Sequence, residues 1–379
     1  MDAVLRYVRT ALLAAGAFVL IGMVVLVVSL MVPIQIWRTG ELASAPLPVE
    51  PGRTFSTTPT RVWIDTDAAC GQTSRTDPDD CLAILLLAQE DGVQIIGVST
   101  VFGNAPLSVT DRTTRRLMAA LEESGLGSVP VYRGSSDPMR RSESGGKSMV
   151  QDAHEQLRAA LALEPLTIVS LGPLTNVAMA LEDRPTLQSN VTRLVAVMGR
   201  RKGHLFHPIE GGTSHSMLGH GPVFRDFNFA MDEAAAAAVV AAGIPMTLVP
   251  YEAARDIAVD SVILDGMEAR DGAPAWVAQR AEQWLHYWRE DIGREGFYPF
   301  DLVAAAYVVH PRLLHCADVT VSVDDDAGIY GWLGVRGLFV DSYHESEARP
   351  LGAGTHLYCP DVSEHLGAWL ANRLTNAPE

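Results

Sequence analysis

The stretch VWIDTDAACGQTSRTDPDDCLAILLLAQ, residues 62–89, starts as a short apolar strand and ends as an amphipathic helix. Its sixteen central residues hold five aspartates: Asp65, Asp67, Asp77, Asp79 and Asp80. Because side chains alternate along a strand, we expect Asp65 and Asp67 on the same side of it. The pair Asp77-Pro78 is typical of an N-cap and first helical position, which places the next two aspartates in the first turn.

These carboxylates indicate a bound cation. Helix capping and the positive end of the helix dipole account for the aspartates at the helix start. They do not account for two more at the end of the preceding strand. So many like charges on one loop repel one another unless a cation lies among them. Oxygen ligands without nearby Cys or His pairs favour calcium or magnesium over zinc.

Composition limits the class of protein. The chain has 379 residues, a formal charge of −16 and a pI near 5.1, so binding to a nucleic-acid backbone is not expected. Its four cysteines show no metal-type spacing and are too few to build a disulfide scaffold; they are Cys70, Cys81, Cys316 and Cys359.

The N-terminus predicts a membrane anchor. Residues 1–10 form a short tail, and residues 11–37 are apolar and uncharged, a run longer than the roughly 20 residues that cross a bilayer. A cleaved signal peptide with a site at 43–45 is the alternative, but its apolar core would be shorter. Arg6 and Arg9 before the span, against Arg38 after it, favour an extracytoplasmic catalytic domain.

The rest of the chain predicts a tether and one domain. Residues 38–60 contain four prolines and form an extended linker. From residue 61 to residue 379, buried-type strands alternate with helices, which predicts an α/β fold with an open, mostly parallel sheet flanked by helices. The predicted strands cover 62–65, 94–100, 129–134, 166–171, 193–199 and 245–250, with three more near 318–324, 335–341 and 356–359. The predicted helices include 107–124, 174–183, 232–242, 273–290, 300–309 and 361–374.

Polar residues follow several of these strands. Ligands bind beyond the carboxyl ends of the strands in such sheets, where Asp67, Asn104, Gly172 and Met198 lie. The loop 203–231 carries four histidines, but their spacing matches no compact zinc pattern. The aromatic residues of helix 273–290 are expected in the core or at an interface.

Several segments together resemble the inosine–uridine-preferring nucleoside hydrolases. They are DTD…DPDDCLAILL, IIGVSTVFGNAPL, VPVYRGSSDPM, TIVSLGPLTNVAMAL, LVAVMG, RDFNFAMDEAAAAAV and YPFDLVAAAYVVHP, in the family's order over residues 61–311. The resemblance implies a Rossmann-like fold and calcium-dependent cleavage of the N-glycosidic bond of ribonucleosides. It also leaves room for a homo-oligomer, either a dimer or a tetramer.

The resemblance also assigns roles to residues. It implies calcium ligands at Asp67, Asp80, the carbonyl oxygen of Leu171 and Asp301, with Asp67 also the base toward the attacking water. Asp65 would support this site from behind. The implied substrate contacts are Asp79, Asn104, Met198, Asp226, Asn228 and Phe300. The family usually has Glu where this chain has Asp226.

Two departures from the family pattern leave alternatives open. The loop between Asp67 and Asp79 is longer, so Asp77 could replace either aspartate at the helix start. Cys70 and Cys81 could brace that loop as a disulfide in an oxidising compartment, although free cysteines are the favoured interpretation. The state of Cys316 and Cys359 stays open.

The second departure concerns the leaving base. Many family members have a His before the last Asp, and this chain has Phe300. An aromatic residue here resembles the purine-specific branch, where stacking on the base assists its departure. The histidines at 204, 207, 215 and 220 are further candidates for the acid, without a basis for choosing one.

Two other classes compete with this interpretation. A phosphatase would use Asp65 as a nucleophile with magnesium and needs a supporting lysine, but the chain has only Lys147 and Lys202. A nucleoside-binding protein that has lost turnover is the non-enzymatic alternative.

Overall fold

The computed structural model describes residues 16–24, 49–51, 59–139, 153–203, 226–332, 334–342 and 356–376. The predicted tail and most of the predicted anchor and linker lie outside these ranges, as do the four histidines at 204, 207, 215 and 220. Within the described ranges, no helix is both long enough and apolar enough to cross a membrane.

Strands and helices alternate through most of the described chain. The strands are β1 (Glu50–Pro51), β2 (Thr60–Thr66), β3 (Val93–Thr100), β4 (Val131–Arg133), β5 (Leu166–Ser170), β6 (Val191–Ala196), β7 (Arg200–Arg201), β8 (Met246–Leu248), β9 (Val259–Asp260), β10 (Gly296–Phe297), β11 (Leu314–Asp325), β12 (Arg336–Ser342) and β13 (His356–Val362). Leaving aside the helical residues 16–24, the α-helices are α1 (Asp79–Ala88), α2 (Leu107–Glu123), α3 (Ala153–Leu163), α4 (Thr175–Leu181), α5 (Pro185–Gln188), α6 (Phe227–Met231), α7 (Glu233–Ala241), α8 (Ser261–Glu268), α9 (Gly272–Tyr287), α10 (Phe300–Val309), α11 (Gly328–Trp332) and α12 (Leu366–Thr375). A π-helical turn, Trp288–Ile292, extends α9.

One large sheet organises the fold. Its strand order is β4-β3-β2-β5-β6-β8-β13-β11-β12-β7, and the strands from β4 to β8 in this order are parallel. Helices cover both faces: α1, α2, α8, α9, α10 and α12 contribute to one buried core, and α3, α4 and α7 contribute to the other. The prediction of a mostly parallel α/β sheet flanked by helices is therefore confirmed.

The C-terminal strands extend the same sheet. Strand β11 pairs antiparallel with β12 and β13, whereas β13 is parallel to β8. All three predicted strands of this region are present. The sequence predicted these strands but did not indicate which neighbour each would pair with.

Helix α1 differs from the sequence-based expectation in two respects. It begins at Asp79 instead of Pro78, and nine of its ten residues are buried, so it is buried on all sides and not amphipathic. A helix that is apolar all round belongs inside a protein. It packs against α10, another helix with a nearly uniform apolar surface.

All four cysteines form disulfides. Cys70 bonds Cys81, and Cys316 bonds Cys359, so the favoured interpretation of free cysteines is wrong. The first pair joins the loop after β2 to the start of α1. The second joins β11 to its neighbour β13.

Candidate active site

A cavity of about 600 Å³ opens beyond the carboxyl ends of the parallel strands. Carboxylates and amides line one part of it, and aromatic rings line another. The lining residues are Asp67, Arg75, Asp77, Asp79, Asp80, Asn104, Leu171, Val197, Phe227, Asn228, Tyr251, Trp284, Trp288, Phe300 and Asp301. Residues from distant parts of the chain thus form a single polar and aromatic site.

Three buried carboxylates form the tightest cluster. Ligand oxygens of Asp79, Asp80 and Asp301 all lie within 4.8 Å of one another. The N-termini of α1 and α10 bring them together, because the backbone N–H of Asp301 donates to Asp79 Oδ2 over 3.0 Å. Both helix starts direct their positive dipole ends at these carboxylates, which partly offsets the cost of burying them.

Asp67 lies beside this cluster, directly after β2. Its Oδ2 accepts the backbone N–H of Asn104 over 2.7 Å. A Cβ on Gly103, where φ is +154°, would lie 1.9 Å from the same oxygen, and a Cβ on Gly172 would lie 3.0 Å from the Asp67 Cγ. Two glycines therefore let the backbone approach this carboxylate closely.

Burial and mutual repulsion raise the pKa of these carboxyl groups. Burial and then Asp79 raise the pKa of Asp80 to about 7. The pKa of Asp67 is raised well above its ordinary value by burial and, second, by the charge of Asp80. The pKa of Asp301 is likewise raised well above its ordinary value, by burial and then by the charge of Asp79. Burial, then Asp79, also raises the pKa of Asp77.

The donor set fits a hard divalent cation. Among the described lining residues, Arg75 is the only cationic side chain, and it is solvent-exposed. Buried carboxylates without a cation are strongly disfavoured. Asp79, Asp80 and Asp301 are close enough to hold an ion together. Asp67 and Leu171 line the same cavity, and the Leu171 carbonyl, which accepts Asn228 Nδ2 over 2.7 Å, keeps a second lone pair.

The candidate sugar-binding residues are also placed at the cavity. Asn228 donates both amide hydrogens, to Leu171 O and to Val197 O over 3.1 Å, so its Oδ1 is the atom that can accept from a sugar hydroxyl. Asn104 Nδ2 donates to the Asp77 carbonyl over 2.9 Å. Asp79 accepts from the amides of Asp80 and Asp301. One oxygen of Asp79 thus bonds a backbone N–H at the start of α1, and the other bonds a backbone N–H at the start of α10.

Two predicted substrate contacts do not line the cavity. The oxygens of Asp226 accept the backbone N–H of Gly199 over 2.6 Å and of Phe229 over 3.2 Å, which makes this residue the N-cap of α6. Its pKa is raised to about 6 by burial. Met198 is fully buried in the apolar core, and the neighbouring Val197 lines the cavity instead.

Asp65, predicted as a supporting residue, is fully buried and does not line the cavity. It accepts from Ser99 Oγ over 2.5 Å and from Asn176 Nδ2 over 2.8 Å. Burial raises its pKa to about 7. Since it does not line the cavity, it cannot serve as the nucleophile of the phosphatase alternative.

Aromatic side chains form the other wall of the cavity. Phe300 was predicted there, but Phe227, Tyr251, Trp284 and Trp288 also line it. Both tryptophans belong to the buried core, as expected, and in addition they line the cavity. Their i, i+4 spacing, and the position of Tyr251 just after a parallel strand, were the available sequence signals.

The chain belongs to the inosine-uridine preferring nucleoside hydrolase family, whose model matches residues 62–350. It is therefore an enzyme of the nucleoside hydrolase class. A relative named non-specific ribonucleoside hydrolase RihC, from Salmonella agona, is 28% identical over 278 residues, covering 66% of this chain and 81% of the relative.

Solved structures share the fold. A plant nucleoside hydrolase, PpNRh1, has a TM-score of 0.65 at 20% identity and covers 84% of this chain and 99% of its own. A purine-preferring ribonucleoside hydrolase from Gardnerella vaginalis has a TM-score of 0.64 at 18% identity, covering 83% and 98%. At these identities the similarity establishes the nucleoside hydrolase fold alone.

Proposed function

We propose that this enzyme uses calcium to hydrolyse ribonucleosides to free base and ribose, with a preference for purines. The observation that carries the proposal is a single cavity with a carboxylate cluster at one part and an aromatic wall at another. A nucleoside has the matching polarity, with a hydroxylated sugar joined to a flat π-system.

The residues of the site have separate roles in the proposed reaction. Asp67 takes a proton from the attacking water as general base. Asn104, Asn228 and Asp79 hold the sugar hydroxyls. As the C1′–N bond breaks, positive charge develops on the sugar ring, as in other glycoside cleavages, and the buried carboxylates stabilise it.

A divalent cation held by Asp67, Asp80, Leu171 O and Asp301 would make water a better nucleophile at neutral pH. We assign calcium because it accepts six to eight oxygen ligands in flexible geometry, whereas magnesium requires a near-ideal octahedron. The cluster offers more carboxylates than a magnesium site ordinarily uses.

The cation is expected to stabilise the fold more at high pH than at low pH. Without it, folded Asp80 holds its proton up to about pH 7, whereas the unfolded chain releases it near 3.8. The folded state then binds more protons in this window, so stability without calcium falls as pH rises from about 4 to 7. Calcium favours the charged form and removes this penalty. The calcium-induced increase in Tm should therefore be larger at pH 8 than at pH 5, by at least about 3 °C.

Differential scanning fluorimetry with and without calcium, at both pH values, measures this difference. Asp301→Asn is the matched variant: it removes one charge from the cluster, so it should raise the Tm without calcium at pH 8 and reduce the calcium-induced shift. Equal shifts at pH 5 and pH 8 would contradict a cation among these carboxylates. Magnesium at the same concentration should give the smaller shift.

The purine preference rests on the aromatic wall. Phe300, Trp284 and Trp288 line this wall, and a purine offers such rings a larger π face than a pyrimidine does. Offset stacking adds roughly 0.5–1.5 kcal/mol beyond burial. That energy corresponds to at most about tenfold in kcat/KM. The Salmonella relative is named as non-specific, so the similarity to it does not support a purine preference. The support comes from the aromatic wall alone.

Release of free base from inosine, adenosine, uridine and cytidine tests the proposal directly. With calcium present, kcat/KM for the purines is expected to exceed that for the pyrimidines by up to about tenfold. Phe300→Leu keeps apolar volume without a ring and should reduce this ratio. A pyrimidine preference would contradict the purine assignment, and nucleoside binding without released base would favour the non-catalytic alternative.

The proposal also places the catalytic domain outside the cytoplasm, tethered by residues 11–37. Two observations support this placement. The uncharged apolar run is long enough to span a bilayer, and both cysteine pairs are disulfides, which persist in oxidising compartments. Protease accessibility of the domain in intact cells tests it.

A further inference from the structure

Tyr251 stands at the centre of the aromatic wall. It begins a 3-10 turn, Tyr251–Ala254, just after strand β8, and its ring packs edge to face on Phe300 with centroids 5.1 Å apart. The side chain lines the cavity. A phenol hydroxyl is thus carried into the aromatic part of the site.

A backbone group at the start of α6 holds the phenol oxygen. The N–H of Phe227 donates to it over 2.5 Å, and the neighbouring amide of Asn228 is near enough to lower the pKa of the phenol. A phenol has two lone pairs and one hydrogen. Because the phenol oxygen already accepts from the start of α6, its hydroxyl is suited to act toward a ligand as a donor.

The phenol stays neutral at physiological pH. Burial, and then the charge of Asp226, raise the pKa of Tyr251 well above its ordinary value, although the two backbone amides oppose the shift. Asp226 itself cannot turn to the ligand without releasing the amides of Gly199 and Phe229. Tyr251 therefore supplies a neutral hydroxyl donor at this wall.

A departing base needs such a donor. When the C1′–N bond breaks, its electron pair goes to the base, and the ring becomes more negative. Among the described lining residues there is no histidine, and Arg75 is the only cation. Carboxylates cannot stabilise a developing negative charge, whereas a neutral hydroxyl that is already oriented can.

We propose that Tyr251 is a catalytic residue that donates a hydrogen bond to the departing base. The inference rests on the proposed nucleoside hydrolysis. The tyrosine keeps its proton: water supplies the hydroxyl that joins C1′ and the proton that the released base finally carries. The class of substrate is a nucleoside whose base is a poor leaving group without assistance.

The variant Tyr251→Phe tests this role, since it removes only the hydroxyl. Two substrates are compared: inosine, and p-nitrophenyl β-D-ribofuranoside, whose nitrophenolate leaves without assistance. With the full-length protein and calcium, kcat/KM on inosine is expected to fall by roughly tenfold to a hundredfold, the range for a hydrogen bond to a developing charge. On the nitrophenyl riboside it should change by less than about threefold.

Tyr287→Phe is the matched control. Tyr287 is a buried tyrosine of α9 that does not line the cavity, and its loss should leave the ratio of the two substrates unchanged. An equal loss on both substrates in Tyr251→Phe would make it a sugar-binding or structural residue and overturn the proposal, as would no loss on inosine. A wild-type protein inactive on both substrates would instead overturn the proposed hydrolase function.

Discussion

Replacing Asp67 with Asn is expected to lower kcat on a ribonucleoside by at least about a thousandfold, because the site loses its general base and one charge toward the cation. The fold should persist. An Asn oxygen can still accept the backbone N–H of Asn104, which Asp67 Oδ2 now accepts over 2.7 Å. Removing one charge also lessens the repulsion from Asp80. The Tm without calcium should therefore equal or exceed that of the wild type.

Steady-state rates at saturating calcium, together with thermal melts, make this measurement. Asp77→Asn is the matched control. Asp77 Oδ1 accepts the backbone N–H of Asp79 over 3.2 Å, and an Asn oxygen can accept the same N–H, so this variant should retain kcat within about tenfold. If Asp67→Asn keeps near-normal rates, the base must be sought at Asp79 or Asp77.

The parallel half of the sheet and the strand-end residues follow from local sequence patterns. Continuous apolar runs such as residues 62–64 require burial on both faces, and the structure buries all three. Carboxyl ends of neighbouring parallel strands meet at one edge. Asp67 and Asn104 could thus be placed side by side without knowledge of any long-range contact.

Other parts of the site depend on contacts that local patterns do not contain. Asp301 and Asp79 meet across 222 residues of sequence, and only the family resemblance paired them. The apolar face of α9 gave no sign that the core it enters borders a cavity, so the sequence placed Trp284 and Trp288 in the core but did not indicate that they also line the site. Because Asp is shorter than the Glu usual in the family, the sequence did not show whether Asp226 reaches the substrate. Its carboxylate accepts the backbone N–H groups of Gly199 and Phe229 instead, which explains why it does not line the cavity.

The disulfide pairing also depends on contacts that local sequence patterns do not contain. Cys70 and Cys81 are 11 residues apart, and whether they meet depends on how the lengthened loop folds back onto α1. Cys316 and Cys359 meet because β11 and β13 are neighbours in the sheet, and a strand pattern alone does not choose between neighbours. Pairing therefore required the three-dimensional path of the chain.

The position of the first disulfide gives it a direct connection to the site. Cys70 follows Asp67 by three residues, and Cys81 follows Asp80 directly. The loop that the bond closes carries four lining residues: Arg75, Asp77, Asp79 and Asp80. Both cysteines are fully buried. The bond thus joins two of the three chain segments whose carboxylates line the proposed cation site.

Replacing Cys70 and Cys81 together with Ala is expected to weaken calcium binding and kcat/KM by about a hundredfold or more. The unbraced loop must then be ordered against the mutual repulsion of its aspartates, at a cost of about 3 kcal/mol for a loop of this size, which corresponds to about a hundredfold in an equilibrium constant. Isothermal titration with calcium and rates on inosine measure both quantities.

The Cys316→Ala/Cys359→Ala pair separates this effect from general destabilisation. That bond spans 43 residues, so its loss should lower the free energy of unfolding by at least as much. Neither cysteine lines the cavity, so calcium affinity and kcat/KM should stay near the wild-type values below the melting temperature. Equal losses of calcium affinity in both pairs would mean that the Cys70–Cys81 bond stabilises the fold without organising the site.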